Sequence, residues 1–353
     1  MSSAAPRRVR LLLAVLAIAS LAAACSSSAS TRSATTSGST TTVAPVTSAS
    51  SIPAGTTLRV GDQLDYLKTV LKLAGQDQGF PYKVAYSAFV GGPGMLQAFQ
   101  AGSLDTGFVG STPLIFAQAG GQDITAVAGW ATAHGNYGLL TAPGGKGITG
   151  WADLKGRKVA YQEGTAGEAV LLEALDTAGL KLADVTPVKL PQTQISAALQ
   201  GGSADAGISI EPLTSAYLGA NPTAKQVASA DEITDRSSFV IADGKALKDP
   251  GKTAALADFI TRLVKSFAYL RTHPDEIANA VYVKQYGLTP ARAAEILKHT
   301  GVASFVQLPG QVVKAQQRLA DLFQSNGEIP AKVDVASEFD TRFNDLVAKA
   351  QGS

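Results

Sequence analysis

Ala98-Phe99-Gln100-Ala101-Gly102-Ser103-Leu104-Asp105-Thr106-Gly107 returns a hundred residues later as Ala198-Leu199-Gln200-Gly201-Gly202-Ser203-Ala204-Asp205-Ala206-Gly207, identical at six of ten positions. Each copy then runs through a short apolar segment to a proline, Pro113 or Pro212, and on into a helix-like stretch. The similarity also extends backwards. Leu58 to Gln63 aligns with Arg157 to Gln162, each a strand that stops at a turn before an amphipathic helix, 64–78 in the first unit and 166–178 in the second. Second strands follow at 83–86 and 186–190, second helices at 94–101 and 195–201, and third strands at 106–109 and 206–210. This alternation predicts an α/β fold with a mostly parallel sheet covered by helices, and a repeat of this length is a domain rather than a solenoid unit.

Two lobes follow, so the chain must cross between them twice. Residues 137–141 read as the outgoing strand, before the glycine-rich turn 143–147, and 237–242 as the returning one. The expected division is 56–139 plus 240–350 for lobe 1 and 140–239 for lobe 2, joined by a two-strand hinge. From Asp249 onward the apolar spacing is helical, in 254–270, 274–286, 290–300 and 309–326, and this tail is expected to pack on the first lobe.

A composition of 45% hydrophobic and 16% charged residues excludes a wholly disordered chain. The formal charge of +2 is misleading about partners, because Arg7, Arg8 and Arg10 precede an apolar run, 11–24. Removing residues 1–24 leaves 27 basic against 28 acidic side chains, net −1. The basic character therefore belongs to a signal peptide, 1–24, and nucleic acid is not an expected partner. That apolar run is too short for a bilayer, which takes roughly twenty residues, and no later stretch reaches that length. Cys25, the only cysteine, cannot form an intramolecular disulfide. Ser26 to Gly55 is mostly Ser, Thr, Ala and Pro, and reads as a disordered tether with a reach of roughly 30 Å.

The position of Cys25 after Leu21-Ala22-Ala23-Ala24 resembles the lipobox of bacterial lipoproteins, in which the cysteine sulfur receives a diacylglyceryl group; the alternative is an ordinary secretory signal with an incidental cysteine. Val60-Gly61-Asp62-Gln63, Phe89-Val90-Gly91-Gly92-Pro93, Gly110-Ser111-Thr112-Pro113, the run Asp153 to Ala160 and Glu163-Gly164-Thr165-Ala166 together resemble the substrate-binding proteins of ABC importers. The subgroup is that for aliphatic sulfonates, taurine and nitrate, whose fold is shared by pyrimidine-binding proteins of thiamine synthesis. The resemblance covers about residues 57–345. It implies a type II periplasmic-binding-protein fold and a monomer, lipid-anchored at the outer face of the membrane, that closes on a small anionic organic solute and presents it to an ABC permease without a cofactor. An aliphatic sulfonate is the expected solute; the alternatives are nitrate, taurine, an aminopyrimidine stacked on Trp130, or an enzyme on the same fold.

Ligands of open α/β sheets bind beyond the carboxyl ends of strands, where helices begin. Four turns are expected to meet there: after Gly61, at Gly91-Gly92-Pro93, at Gly110-Ser111-Thr112 and at Gly164-Thr165-Ala166. Their glycines admit close approach, and unpaired helix-start amides favour an oxyanion. Ser111, Thr112 and Thr165 could equally serve only as helix caps. Glu211, before Pro212, either receives an amine or complements a helix dipole. Trp130, Tyr137 and Phe89 either wall the cleft or belong to the core. Gln63 and Gln162 are equivalent in the repeat, and the resemblance favours Gln63 as the contact. The expected ligand set is thus Gln63, Gly92, Pro93, Ser111, Thr112, Trp130, Gly164, Thr165, Ala166 and Glu211. Micromolar binding needs about −8 kcal/mol. At a ceiling of about −1.5 kcal/mol per heavy atom nitrate reaches only about −6, which favours an organic sulfonate. His134, His273 and His299 are far apart in sequence and Cys25 is committed to lipid, so neither a nucleophile with its base nor a zinc cluster is expected. Gly91-Gly92-Pro93-Gly94 lacks the Gly-Lys-Ser/Thr ending of a nucleotide phosphate loop.

Overall fold

Each copy of the repeated decapeptide closes a helix and opens a strand. In the computed structural model, which describes residues 45–46, 52–231 and 237–352, Gly102 and Gly202 adopt φ 68° and 71°, the left-handed conformation that ends a helix. The amides of Ser103 and Ser203 then donate back to the carbonyls of Ala98 and Ala198 at 2.9 and 3.0 Å. The aspartate follows. Asp105 donates its amide to the Arg59 carbonyl at 2.9 Å and accepts from the Arg59 amide at 2.9 Å. Asp205 does the same with Lys158, at 2.8 and 2.9 Å. Each aspartate therefore locks its strand against the first strand of its unit, in the registers Val60 to Thr106 and Val159 to Ala206. A Cβ at Gly107 would fall 2.7 Å from Met95 Sδ and one at Gly207 would fall 2.7 Å from Ile195 Cγ2, so the second glycine lets the helix lie directly on the strand.

The first unit runs β1 Thr57–Gln63, α1 Tyr66–Leu73, β2 Lys83–Phe89, α2 Gly92–Gln100, β3 Thr106–Gly110, α3 Ser111–Ala119 and β4 Ile124–Ala131. The second runs β5 Tyr137–Thr141, β6 Lys158–Tyr161, α4 Ala166–Thr177, β7 Thr186–Lys189, α5 Ile195–Gln200, β8 Ala206–Ile210, α6 Leu213–Ala220 and β9 Gln226–Ser229. The chain then returns through β10 Ser237–Asp243, α7 Gly244–Lys248, α8 Pro250–Thr272 and α9 Pro274–Ile277, a π-helix Ala278–Gln285, α10 Pro290–Thr300, β11 Ser304–Val306, α11 Val312–Ser325 and α12 Asn344–Gln351.

The strands form two sheets, ordered β11-β4-β10-β3-β1-β2 and β7-β6-β8-β5-β9. Only the blocks β2-β1-β3 and β7-β6-β8 are parallel; β10, β4, β11, β5 and β9 pair antiparallel. The sheets are thus mixed rather than mostly parallel. The departure arises because β5 and β10, entering from the opposite lobe, dock head-to-tail beside β8 and β3. Tyr137–Thr141 belongs wholly to the second sheet and Ser237–Asp243 to the first. The passages between sheets consequently lie at 132–136 and between Ser229 and Ser237, a few residues before the boundaries expected from the sequence.

Burial follows the period of each element. Leu58 and Val60 of β1 are fully buried beneath Leu67, Val70 and Leu71 of α1 and Phe259, Ile260 and Leu263 of α8. In the second lobe Val159 and Tyr161 are buried with Val170, Leu171 and Leu175 of α4. Each such side chain contributes about 1.5–3 kcal/mol when fully buried. The tail packs on the first lobe through α8, α12 and β11. It also reaches the second lobe: Leu319, Ala320 and Phe323 of α11 share one apolar cluster with Ile115 of α3 and with Ala169 and Leu172 of α4.

Residues 1–24, Cys25 and most of the expected tether lie outside the described residues. Its described end is not free of the domain: Val46 and Ile52 rest against the first lobe's core, and the Val46 amide donates to the Arg342 carbonyl at 3.0 Å. Among the described residues no helix is long and apolar enough to cross a membrane.

The two aspartate clamps differ in surroundings. Asp105 is buried and bonded to Arg59 and Lys252, each at 2.6 Å, whereas Asp205 pairs with the half-exposed Lys146 at 2.5 Å. Burial alone would raise the Asp105 carboxyl, but the hydrogen bonds from Arg59 and Lys252 outweigh it and hold it below its ordinary range. Asp105→Ala strands two cations and should cost about 3–5 kcal/mol; Asp205→Ala should cost about 1–2 kcal/mol. Urea unfolding of the two variants measures the gap, and equal costs would mean that Arg59 and Lys252 add nothing to the clamp.

Candidate functional site

The carboxyl ends of the parallel strands of both lobes face one cavity of about 520 Å3. The first lobe contributes Gln63, Gly92, Ser111 and Thr112, and the second contributes Gln162, Thr165, Ala166 and Glu211. The lobes touch at its mouth, where a Cβ on Gly164 would lie 3.4 Å from Pro93 Cγ. Pro93 and Gly164, both expected to touch a ligand, do not line the cavity; they pack the rim.

The four expected turns separate into two kinds. At the start of α1 the buried carboxylate of Asp62 accepts from the amides of Leu67 at 2.9 Å and Lys68 at 3.0 Å. The chain's own anion thus fills that helix start, and the turn after Gly61 is not open to a ligand anion as the sequence led us to expect. Burial pushes the Asp62 carboxyl above its ordinary range against the pull of these two amides. Leu64 and Asp65, at φ 55° and 56°, make the turn that brings Asp62 under the helix, and α1 begins at Tyr66 rather than Leu64.

The N-cap residues of α2 and α3 are glycines, Gly91 and Gly110, which have no side chain to cap the first amides. Gly92 owes its size to packing, since a Cβ there would fall 2.4 Å from Pro113 Cγ. Ser111 and Thr112 form the first turn of α3, both lining the cavity, and Thr112 Oγ1 is buried without a hydrogen-bond partner. A buried hydroxyl left unbonded costs about 1–3 kcal/mol. At α4 the Thr165 hydroxyl accepts from the Gly167 amide at 3.2 Å and donates to the Gln162 carbonyl at 2.7 Å. Thr165 is therefore a helix cap, and Thr165→Ala would remove about 1 kcal/mol of capping along with any ligand contact.

Gln63 lines the cavity, its amide donating to the Phe108 carbonyl at 2.7 Å. Its repeat equivalent Gln162 also lines it and accepts from the Gln192 amide at 3.0 Å. Trp130 reaches the wall but is a core residue, 4% exposed, with its ring 5.2–5.5 Å from those of Phe108, Phe267 and Phe305. The Glu211 carboxylate is taken by Arg292 at 2.8 Å and by the hydroxyl and amide of Ser215 at 2.7 and 3.2 Å. Reading the sequence missed this partner, which lies in the tail, and likewise Tyr282 and Tyr286, which line the cavity from the tail. Hydropathy marks both tyrosines only as helix residues.

Among the described residues Glu211 is the one charged side chain in the lining, and neither cysteine nor histidine is there. To an anion this described lining offers amide dipoles and hydroxyls. His134 and His299, far apart in sequence, stack at 5.0 Å, with His299 Nε2 2.9 Å from Asp231 Oδ2. They occupy an adjoining cavity behind the passage at 132–136. The carboxylates of Glu163, Glu168 and Glu328 lie close enough to share an ion. Lys189 already fills the cationic position, at 2.5 Å from Glu163 and 3.3 Å from Glu328.

Two lobes, two passages and a shared cavity at the ends of both parallel blocks define a two-lobed solute-binding protein of the type II periplasmic kind. The family described as NMT1/THI5 like matches residues 83–277. Over 288 residues the chain is 32% identical to an Escherichia coli (strain K12) protein named for binding aliphatic sulfonates, covering 79% of this chain and 86% of that one. The alkanesulfonate-binding protein SsuA from Xanthomonas axonopodis pv. citri, solved bound to MOPS, superposes with TM-score 0.71 at 30% identity, over 82% of this chain and 99% of that one. The desulfurization enzyme DszB shares the fold at TM-score 0.58 and 15% identity, over 83% and 99% of the two chains. The chain belongs to the NMT1/THI5-like family.

Beneath the start of α4 the buried Glu168 accepts from the Gly164 amide at 2.8 Å. Burial pushes its carboxyl up to about 7, against the pull of that amide. A carboxyl raised on folding keeps its proton where the unfolded chain has lost it, so stability falls as pH rises from the ordinary carboxylate range to about 7. Glu168→Gln keeps an acceptor for Gly164. Its stability should match that of the parent within about 1 kcal/mol near pH 4.5 and exceed it by roughly 2–3 kcal/mol at pH 8. Glu338, raised to about 8 by burial, adds a similar slope at higher pH to both proteins. Urea unfolding at the two pH values therefore isolates Glu168, and a parallel pH dependence in both proteins would contradict the assignment.

Proposed function

We propose that this chain is the extracytoplasmic receptor of an ABC importer, tethered to the membrane through a lipid on Cys25, and that it captures an organic sulfonate between its lobes. The observation that carries the reading is the pair of helix starts with glycine at the N-cap, α2 and α3, beside the unbonded Thr112 hydroxyl, in a cavity whose remaining walls are largely apolar. A sulfonate presents three oxygens on one tetrahedral end and carbon on the other. Donors from α2, α3 and the Ala166 end of α4 suit the first, and the apolar walls suit the second. The identities with proteins named for aliphatic or alkane sulfonates support the same class.

Nitrate is disfavoured by the size of the cavity, and a pyrimidine on Trp130 by the rings already packed on that indole. Catalysis is disfavoured by the described lining, whose serines and threonines stand with neither histidine nor cysteine among them. Binding closes the lobes, and the closed form is what a permease would engage.

Thr112→Val removes the unbonded hydroxyl while preserving shape. Titration calorimetry with butanesulfonate should show binding weakened about tenfold or more, with the melting temperature of the unliganded protein unchanged or raised. Butanoate and nitrate should bind the parent protein more weakly than butanesulfonate. Unchanged affinity in the variant, or butanoate binding as tightly as butanesulfonate, would overturn the assignment.

A further inference from the structure

We infer that the segment Ile277–Tyr286 selects the solute's tail, and that the cavity takes a sulfonate bearing an uncharged, ring-sized tail in preference to a short or zwitterionic one. The inference rests on the sulfonate reading above. Ile277, Val281, Tyr282, Gln285 and Tyr286 line the cavity, while Ala278, Asn279, Ala280, Val283 and Lys284 do not. This spacing of four to five residues is the face of the π-helix that Ala278–Gln285 forms. Such wide turns are rare and cluster at functional sites. Here the winding puts both tyrosines on the cavity side.

Across the space, Tyr66, Phe108 and Trp130 make a continuous aromatic wall, with ring centroids 5.9 and 5.5 Å apart. Their faces are engaged with one another. Tyr282 and Tyr286 both line the cavity and pair with no other ring among the described residues, which leaves the tyrosine faces to meet a third ring.

Size and charge point the same way. A space of about 520 Å3 is the liquid volume of roughly seventeen waters, of which a two-carbon sulfonate would displace only a small part. An ammonium on the tail would lose its hydration and find, among the described lining residues, one carboxylate, Glu211, already bonded to Arg292 and Ser215.

The test is calorimetric titration of the full chain, held in mild detergent, with naphthalene-2-sulfonate, ethanesulfonate and taurine. Naphthalene-2-sulfonate should bind at least about 30-fold more tightly than ethanesulfonate, and taurine at least about tenfold more weakly than ethanesulfonate. Val281→Trp fills the tail space and should collapse the ratio between the ring and two-carbon sulfonates towards one. Should that variant fail to fold, Tyr286→Ala decides, with an expected fall in the same ratio of about tenfold. Ethanesulfonate or taurine binding as tightly as the naphthalene compound, or a ratio unmoved in Tyr286→Ala, overturns the tail assignment and leaves the sulfonate reading standing. A protein that binds none of the three overturns both.

Discussion

Helix-start amides have no acceptor within their own helix, and this shortage organises the molecule. At α1 the chain meets it from within, with Asp62 beneath the first turn. At α4 it is met in part by the Thr165 hydroxyl, while Glu168 takes the Gly164 amide of the same turn. At α2 and α3 the N-cap is a glycine, Gly91 or Gly110, with no side chain to answer it. Those two starts open into the cavity between the lobes, so the glycine-capped helix ends of the fold and the proposed solute site coincide. In the proposed reading, helix dipoles make direction matter: an anion would have to present oxygens to several helix starts at once.

The lobes are coupled by more than two strands. The α11 face joins α3 to α4 in a single apolar cluster, and Lys189 of the second lobe reaches Glu328, just beyond α11. Arg292 of α10 holds Glu211 at the start of the α6 turn. The tail therefore contributes to the cavity wall and to the contact between lobes together, and any separation of the lobes must unpack α11 from one of its two neighbours.

What the sequence made legible was what local chemistry enforces. The Gly-Ser-x-Asp-x-Gly repeat announced two like units because each of its residues meets a short-range need: a left-handed helix end at Gly102 and Gly202, a clamp at Asp105 and Asp205, a flat strand surface at Gly107 and Gly207. Gln63, Ser111, Thr112 and Ala166 reached the cavity for the same reason, as ends of strands or starts of helices. Illegible were features set by distant partners or by unusual backbone. No composition signal betrays the left-handed Leu64 and Asp65 that slide Asp62 under α1. Glu211 stood open between an amine ligand and a helix dipole because its guanidinium partner stands 81 residues on. The π-helix carries an ordinary helical pattern in its letters, and His134 and His299 meet only because α10 lies against the first passage between lobes.

The placement of Val46 and Ile52 on the first lobe has a mechanical corollary. Whatever grips the polypeptide upstream of Val46 transmits its pull to that half, beside Arg342, and none of it directly to the other. Under the proposed lipid tether one jaw would be moored, and the second lobe, with its Thr165 and Ala166 edge, would be the part that sweeps through solution.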